Sequence, residues 1–568
     1  MATITVPERA RPGLASRLDT RALLRHVGVA AFVLGLGYLV VAPLVRLQGR
    51  AFADDGYERA FTGPRIGRTI TYTIGLAVGS LVIALVLGTL LAWAATRLPR
   101  RLGFLRLFPI LPIVVPAIAN VVGWAFLLSP RPGYLNAWLR KLPWWNHLTE
   151  GPIDVYTMPW IVIITGFGLT AFVYLFVSAG FENIGSEHIE AAQVSGSPPW
   201  KVFLTVTLPL LRPTLIYGGG VALLLGLGQF TGPLLLGANG GISVITTDMY
   251  RQVSQTPVEY GVAAALGSPL LVFGIVVVLV QKLLLGNQRR FVTHGGRAFR
   301  SGGRPSKLAA VAIVLYALVA TVLPIAALVV VSLSNFWSGE IQTEFFSLNN
   351  FRTIFEQASV TEAIGNSVRF SLVAVAISLP LGFVAASLLV RGRQFRVQRA
   401  ILDFVVSMPL GIPAVIFGVG FLLTYTEGPF VLYGTPWVVI LVYVTLMMPF
   451  ATRMQLSALI ALGDAYTEAS RVSGAGVLRT NLRVILPLMR SSLGGAAALM
   501  FVLLTHEFSA SLLVRSSTTQ VMGTVLFDYW GNGGYPLVAA VALVMTLVTA
   551  IGVAVAMALG GSESLTKL

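Results

Sequence analysis

About twelve separate runs of roughly 20 apolar residues, each long enough to cross a bilayer core as a helix, leave this 568-residue chain few ways to fold. They lie near 27–46, 69–95, 105–129, 155–181, 213–238 and 260–285, and again near 308–333, 366–391, 400–425, 434–460, 491–515 and 535–560. With 55% hydrophobic and 11% charged residues and a mean hydropathy of +0.80, the chain has too little polar surface for a water-soluble fold. An all-α polytopic membrane protein of about 12 transmembrane helices is expected. The absence of cysteine excludes disulfides and thiolate metal sites. The five histidines, at 26, 147, 188, 294 and 506, lack the spacing of a metal site, so no metal centre and no catalytic constellation is expected.

The twelve runs divide into two sets of six, and a polar passage repeats between them. Glu190-Ala191-Ala192-Gln193-Val194-Ser195-Gly196 returns as Glu468-Ala469-Ser470-Arg471-Val472-Ser473-Gly474, with Leu208-Pro209 and Leu486-Pro487 following at the same distance. Without gaps, Glu190 to Gly237 matches Glu468 to Arg515 at 16 of 48 positions. The chain is therefore a duplicated unit. The expected domains are a basic tail (1–26), a first module (27–286), a linker (287–307) with five arginines among glycines, a second module (308–560) and a short tail (561–568).

Short cytoplasmic loops retain Lys and Arg. With the N-terminus inside, the inner segments hold 27 of the 40 basic residues. Both termini and both repeated passages then face the cytoplasm, and the net charge of +17 is a topology signal rather than a nucleic-acid patch. Ala51-Phe52-Ala53 resembles a signal-peptide cleavage site. However, the run from Val27 to Val45 is too long for a signal core, and Arg46 and Arg50 precede the site, so the first run is read as a span.

Locally, each repeated passage is a short helix, a turn and another helix. Gly196 and Gly474 permit a sharp turn, and Ser197 before Pro198 and Pro199 reads as a cap followed by prolines suited to a first turn. Pro209 and Pro487 interrupt the next helix before it re-enters the membrane. The result is a stiff protrusion suited to transmitting force from a soluble partner.

Glu190, Ala191, Ala192, Gly196 and Pro209, and in the second copy Glu468, Ala469, Gly474 and Pro487, resemble the signature of ABC importer permeases. Ser470 replaces the usual second alanine, a small-for-small change. The resemblance implies two tandem six-helix type I permease modules in the bacterial inner membrane. In that family the loops carry coupling helices that sit in grooves of an ATPase homodimer. Phe230 to Gly237, Pro257 to Ala264 and Phe291-Val292-Thr293 resemble the fused permeases of the ferric-iron group, whose relatives carry thiamine or 2-aminoethylphosphonate and, more distantly, polyamines. The implied cargo is ferric iron first, delivered by an extracytoplasmic solute-binding protein.

The energy source is expected elsewhere. A P-loop ends in Gly-Lys, and none of Lys141, Lys201, Lys282, Lys307 and Lys567 follows a glycine. No cofactor is expected on this chain, with ATP and Mg2+ on the partner, lipid around it and no nucleic acid.

Polar groups inside the membrane are costly and become candidates for the translocation path. His506 and Glu507 lie within the eleventh run, with Gln229 as the repeat counterpart of Glu507; an interhelical hydrogen bond is the alternative. Asp403 is expected to partner the Arg391 to Arg399 cluster. The small-residue stretches Gly218 to Gly220 and Gly494 to Ala498 fit close helix packing, with or without motion. His147, Asp54, Asp55, Glu58, Glu150 and Asp154 are expected outside, either meeting a binding protein or simply solvated. A secondary transporter, with ion-coupling residues at broken midplane helices, and a non-transporting scaffold are the rival classes.

Overall fold

In the computed structural model, the described residues are 20–182, 187–285, 305–392 and 394–560. The two tails and the linker fall wholly or largely outside them. Among the described residues, eight helices are long and apolar enough to span a membrane, and four bent pairs bring the number to twelve if each pair is one span. Ile66–Ala95, Met158–Glu182, Tyr260–Leu285, Pro436–Leu462 and Tyr535–Gly560 lie close to the expected spans, while Thr20–Ala53 and Ala358–Arg391 run longer. Ala51 is a fully buried part of the first helix, so Ala51 to Ala53 continues a span.

The third run of each half is not one straight helix. Arg100–Val114 meets Ala117–Leu128 at 92°, and Arg396–Gly411 meets Ala414–Tyr425 at 112°. Pro116 and Pro413 stand at the two corners in extended backbone, where a residue without an N–H cannot continue the hydrogen-bond ladder. The runs at 105–129 and 400–425 therefore each turn a corner, which hydrophobicity alone does not reveal.

Within each half the second and fourth spans pack closely. A Cβ at Gly88 would stand 2.8 Å from Val173, and one at Gly382 would stand 2.7 Å from Ala451, so glycine sets the backbone approach. Gly218 and Gly219, in the expected small-residue stretch, face Phe176 and Leu85 in the same way.

The halves are joined by exchange of their first helices. Thr20–Ala53 packs on Tyr260–Leu285 of its own half and on Ala414–Tyr425 of the other. The first span of the second half, from Lys307 to Leu333, packs on Tyr535–Gly560 of its own half and on Ala117–Leu128 of the other. The two crossings share one device: a Cβ at Gly123 would stand 2.5 Å from the Pro324 carbonyl oxygen, and one at Gly420 would stand 2.8 Å from that of Pro43. Because overpacking at a backbone contact costs ~1–3 kcal/mol, Gly123→Val or Gly420→Val is expected to lower the unfolding temperature in detergent, and the pair to lower it further. An unchanged melting curve for the double variant would contradict this packing.

The structure also fixes the register between halves. Thr73 Oγ1 accepts from Ile245 N at 2.9 Å, and Ser367 Oγ accepts from Met522 N at 2.9 Å. Tyr72-Thr73 is therefore the counterpart of Asn366-Ser367.

Candidate functional site

The repeated passages fold alike. Helix Glu187–Val194 ends at Gly196 and helix Ala465–Val472 at Gly474, both glycines at φ 79°. The closing bonds match: Ser197 N donates to Ala192 O at 3.2 Å and Gly196 N to Gln193 O at 2.9 Å, and Ala475 N donates to Ser470 O at 3.0 Å and Gly474 N to Arg471 O at 2.9 Å. A glycine in left-handed backbone lets the chain reverse and satisfy the last carbonyls of the helix. Glu190, Ala191, Glu468 and Ala469 are exposed. Val194 and Val472 are 89% and 90% exposed, and Trp200 and its counterpart Leu478 also face outward, so each loop presents the same apolar tip.

The cap assigned to Ser197 is not present. The next helix, Pro199–Val202, has Pro198 at its N-cap and no side-chain cap bond. Pro198 already holds extended backbone and Pro199 occupies the first turn, so a hydroxyl is not needed. Ser470, the departure from alanine, has a structural use. Its hydroxyl lies 2.9 Å from Thr480 Oγ1, whereas in the first copy Ala192 packs on the cluster containing Val202, the counterpart of Thr480. A hydroxyl pair replaces an apolar pair with the loop geometry kept.

Each protrusion connects rigidly to a span. A single π turn, Phe203–Thr207 or Asn481–Ile485, precedes the Leu-Pro pair, and the Leu208 and Leu486 amides bond back to Phe203 O and Asn481 O. The extra residue places the donor-less Pro209 and Pro487 at the start of a new turn, where the missing N–H costs little. The chain then bends by 73° or 74° into Arg212–Leu227 or Arg490–Thr505.

Those spans break at equivalent places. Arg212–Leu227 stops at Gly228, before Gln229 and Phe230, and Arg490–Thr505 stops at His506, before Glu507 and Phe508. Gln229 is half-buried, and its carbonyl accepts from Thr246 Oγ1 at 2.5 Å. The Glu507 carboxylate caps the half-helix Ser509–Val514, accepting from Ala510 N at 2.8 Å, Ser511 N at 3.0 Å and Ser511 Oγ at 2.6 Å. Ser511 Oγ in turn lies 2.8 Å from the Tyr443 hydroxyl, while the buried His506 Nδ1 has no hydrogen-bond partner among the described residues.

The sequence reading missed what the breaks bring together. Phe230 and Phe508, identical at matching positions, meet with ring centroids 5.7 Å apart. Tyr250 and Phe527, also equivalent, complete the set: Phe230–Tyr250 5.8 Å, Phe508–Phe527 5.7 Å and Tyr250–Phe527 6.2 Å. Four rings thus close a circuit in which equivalent residues touch, as they must on the pseudo-two-fold axis. Beside Tyr250, the Arg515 guanidinium pairs with Asp528 through two bonds of 2.7 and 2.8 Å. The signal available beforehand was the identity of Phe230 and Phe508 next to the polar Gln229 and Glu507.

Other expected groups have local partners. Asp403 pairs at 2.8 Å with Arg453 from another helix, not with the Arg391 to Arg399 cluster, because helix Arg396–Gly411 lays it against Pro436–Leu462. Asp54 pairs with Arg50 and Glu150 with Arg131, both at 2.8 Å, and Asp154 accepts from Tyr156 N at 2.9 Å.

The family model described as "Binding-protein-dependent transport system inner membrane component" matches twice, over residues 84–290 and 378–561. The chain belongs to that family, as a fused two-module permease of ABC importers in the inner membrane. It is 24% identical over 532 residues to the Ferric transport system permease protein FbpB of Actinobacillus pleuropneumoniae, covering 91% of this chain and 76% of that one. It is 25% identical to the Probable ABC transporter permease protein y4fN of Sinorhizobium fredii, covering 92% and 93%. The Sulfate transport system permease protein CysW of Escherichia coli is 28% identical over 40% of this chain and 75% of its own. A bacterial importer of the acidic polysaccharide alginate aligns with a TM-score of 0.37 at 16% identity, over 44% of this chain and 91% of that one. Helices broken within the membrane would by themselves also suit a secondary transporter. Membership in a binding-protein-dependent transport family decides against that class and against a scaffold.

Proposed function

We propose that this permease carries ferric iron inward, taking it from an extracytoplasmic binding protein and drawing energy from a separate ATPase dimer docked on the loops at Glu190 to Gly196 and Glu468 to Gly474. The observation that carries the coupling half of this reading is mechanical continuity. Each glycine-closed tip runs through a π turn and a proline corner into the span whose break holds Phe230 or Phe508. Movement of the two tips is thereby delivered to the axis. Glu190, Ala191, Ala192, Gly196 and Pro209, with Glu468, Ala469, Ser470, Gly474 and Pro487, form the coupling elements.

With both loops cytoplasmic, the 16-residue limbs Arg212–Leu227 and Arg490–Thr505 rise about 24 Å at ~1.5 Å per residue. The aromatic circuit then lies in the outer half of the bilayer, where it closes the axis toward the outside. Gln229, His506 and Glu507, next to these rings in the chain, are the residues proposed to flank the translocation path. ATP-driven approach of the tips parts the rings and admits cargo.

Iron as cargo rests on relatives. FbpB proteins of Actinobacillus pleuropneumoniae and Haemophilus influenzae match 91% and 84% of this chain, while the sulfate permeases match less than half. Thiamine, 2-aminoethylphosphonate and polyamines are the remaining candidates within the same machinery. The test is accumulation of radioactive iron in proteoliposomes containing permease, ATPase and cognate binding protein. ATP-dependent uptake competed by unlabelled ferric ion is expected; uptake of another solute with no iron uptake would overturn the assignment.

A further inference from the structure

The two coupling loops are not equivalent at the point where they return to the membrane. In the second half, Tyr466, Arg483, Val484, Pro487, Leu488 and Arg490 line a cleft of about 640 Å³. The first half has His188, Thr205, Val206, Pro209, Leu210 and Arg212 at the matching positions, so an aromatic hydroxyl and one of two guanidiniums are particular to the second copy. Arg483 and Arg490 are exposed and have no ion pair among the described residues, unlike Arg391 with Asp464 and Arg453 with Asp403 nearby in the chain.

From this we infer that the cleft formed by Tyr466, Arg483 and Arg490 is a binding site for the headgroup of an anionic phospholipid at the cytoplasmic membrane surface. Two unpaired guanidiniums beside a phenol hydroxyl supply charge-assisted donors for a phosphodiester. Val484, Pro487 and Leu488 form an apolar wall on the same cleft, and Leu482 and Leu488 are 55% and 47% exposed. That combination of cationic rim and bare leucines fits an amphiphile better than a soluble anion. The location agrees: the segment Val477–Leu488 lies at 74° to the span that begins at Arg490, so it runs along the membrane surface while the tip at Val472 stands clear for the ATPase. A lipid held there would anchor the second loop alone, leaving the first the freer of the two. The cytoplasmic placement rests on the orientation proposed above; the site itself does not depend on the ATPase or the cargo.

The test uses the full-length permease without ATPase, in nanodiscs of phosphatidylcholine with or without phosphatidylglycerol. Native mass spectrometry then counts retained phosphatidylglycerol. The double variant Tyr466→His/Arg483→Thr installs residues the first loop already accommodates, so it is expected to fold and to retain several-fold less phosphatidylglycerol. Arg483→Lys is expected to restore part of the retention, and His188→Tyr/Thr205→Arg to add to it. Equal retention by wild type and double variant would overturn the site. Displacement of the lipid by millimolar inorganic phosphate would overturn the lipid as its occupant. Unchanged lipid retention in the double variant, with weakened co-purification of the ATPase in a separate pull-down, would assign the cleft to the protein partner instead. Loss of coupling in variants at Gly196 and Gly474 leaves lipid retention untouched, which separates this inference from the proposed function.

Discussion

Replacing Gly196 and Gly474 together with valine is expected to abolish ATP-driven uptake and to release the ATPase from the permease. Among the described residues, no neighbouring atom lies within 4 Å of the Cβ position at either glycine, so the substitution displaces none of them. The effect arises from the backbone, held at φ 79° in both loops. Left-handed backbone costs an L-residue ~1–2 kcal/mol, and a β-branched residue is a genuine outlier there. The turn therefore opens, and Val194 and Val472 lose the orientation that presents them. Two strained loops sum to roughly 2–4 kcal/mol, on the order of a hundredfold in association. Co-purification of the ATPase and uptake in proteoliposomes are the readouts. Each single variant is expected to retain partial binding, because the other loop still docks. Full binding and uptake in the double variant would show that these turns do not set the docking geometry.

Removing the axial rings is expected to have the opposite phenotype, transport without control. Phe230 and Phe508 are 1% and 3% exposed and meet each other on the axis, so Phe230→Ala with Phe508→Ala opens a passage where four rings now close one. Solute is expected to leak through reconstituted permease with no ATPase present. Because a buried Phe→Ala change costs ~3–5 kcal/mol, the pair Phe230→Leu/Phe508→Leu provides a milder form, with a smaller leak and a normal elution profile. A tight bilayer with either pair would place the barrier elsewhere along the spans.

Much of this architecture was legible in the sequence, since hydrophobic length and a repeated polar passage each have one physical origin. The spans Ile66–Ala95 and Tyr535–Gly560 differ little from the runs that announce them. Hydrophobicity does not record direction. The corners at Pro116 and Pro413 and the breaks before Phe230 and Phe508 lie inside runs that read as continuous, because a bend leaves the side chains of the run as apolar as a straight helix does. The axial rings were hidden for a related reason: among 31 phenylalanines, only spatial convergence distinguishes Phe230 and Phe508, which lie 278 positions apart. Local chemistry also misdirected. Ser197 has the residue type of a helix cap, yet the prolines after it had already fixed the backbone. Asp403 follows an arginine cluster, yet its helix turns it toward Arg453.

The distance between the two loop tips during the ATP cycle is the most direct measure of the mechanism. The chain has no cysteine, so spin labels at Val194→Cys and Val472→Cys, on exposed tips, report only that distance. With the ATPase bound, electron–electron double resonance is expected to show the tips closer in the trapped ATP state than without nucleotide, and the valine double variant to show no such shift. An identical tip-to-tip distance in both nucleotide states, in complexes that still accumulate iron, would contradict force transmission through these loops.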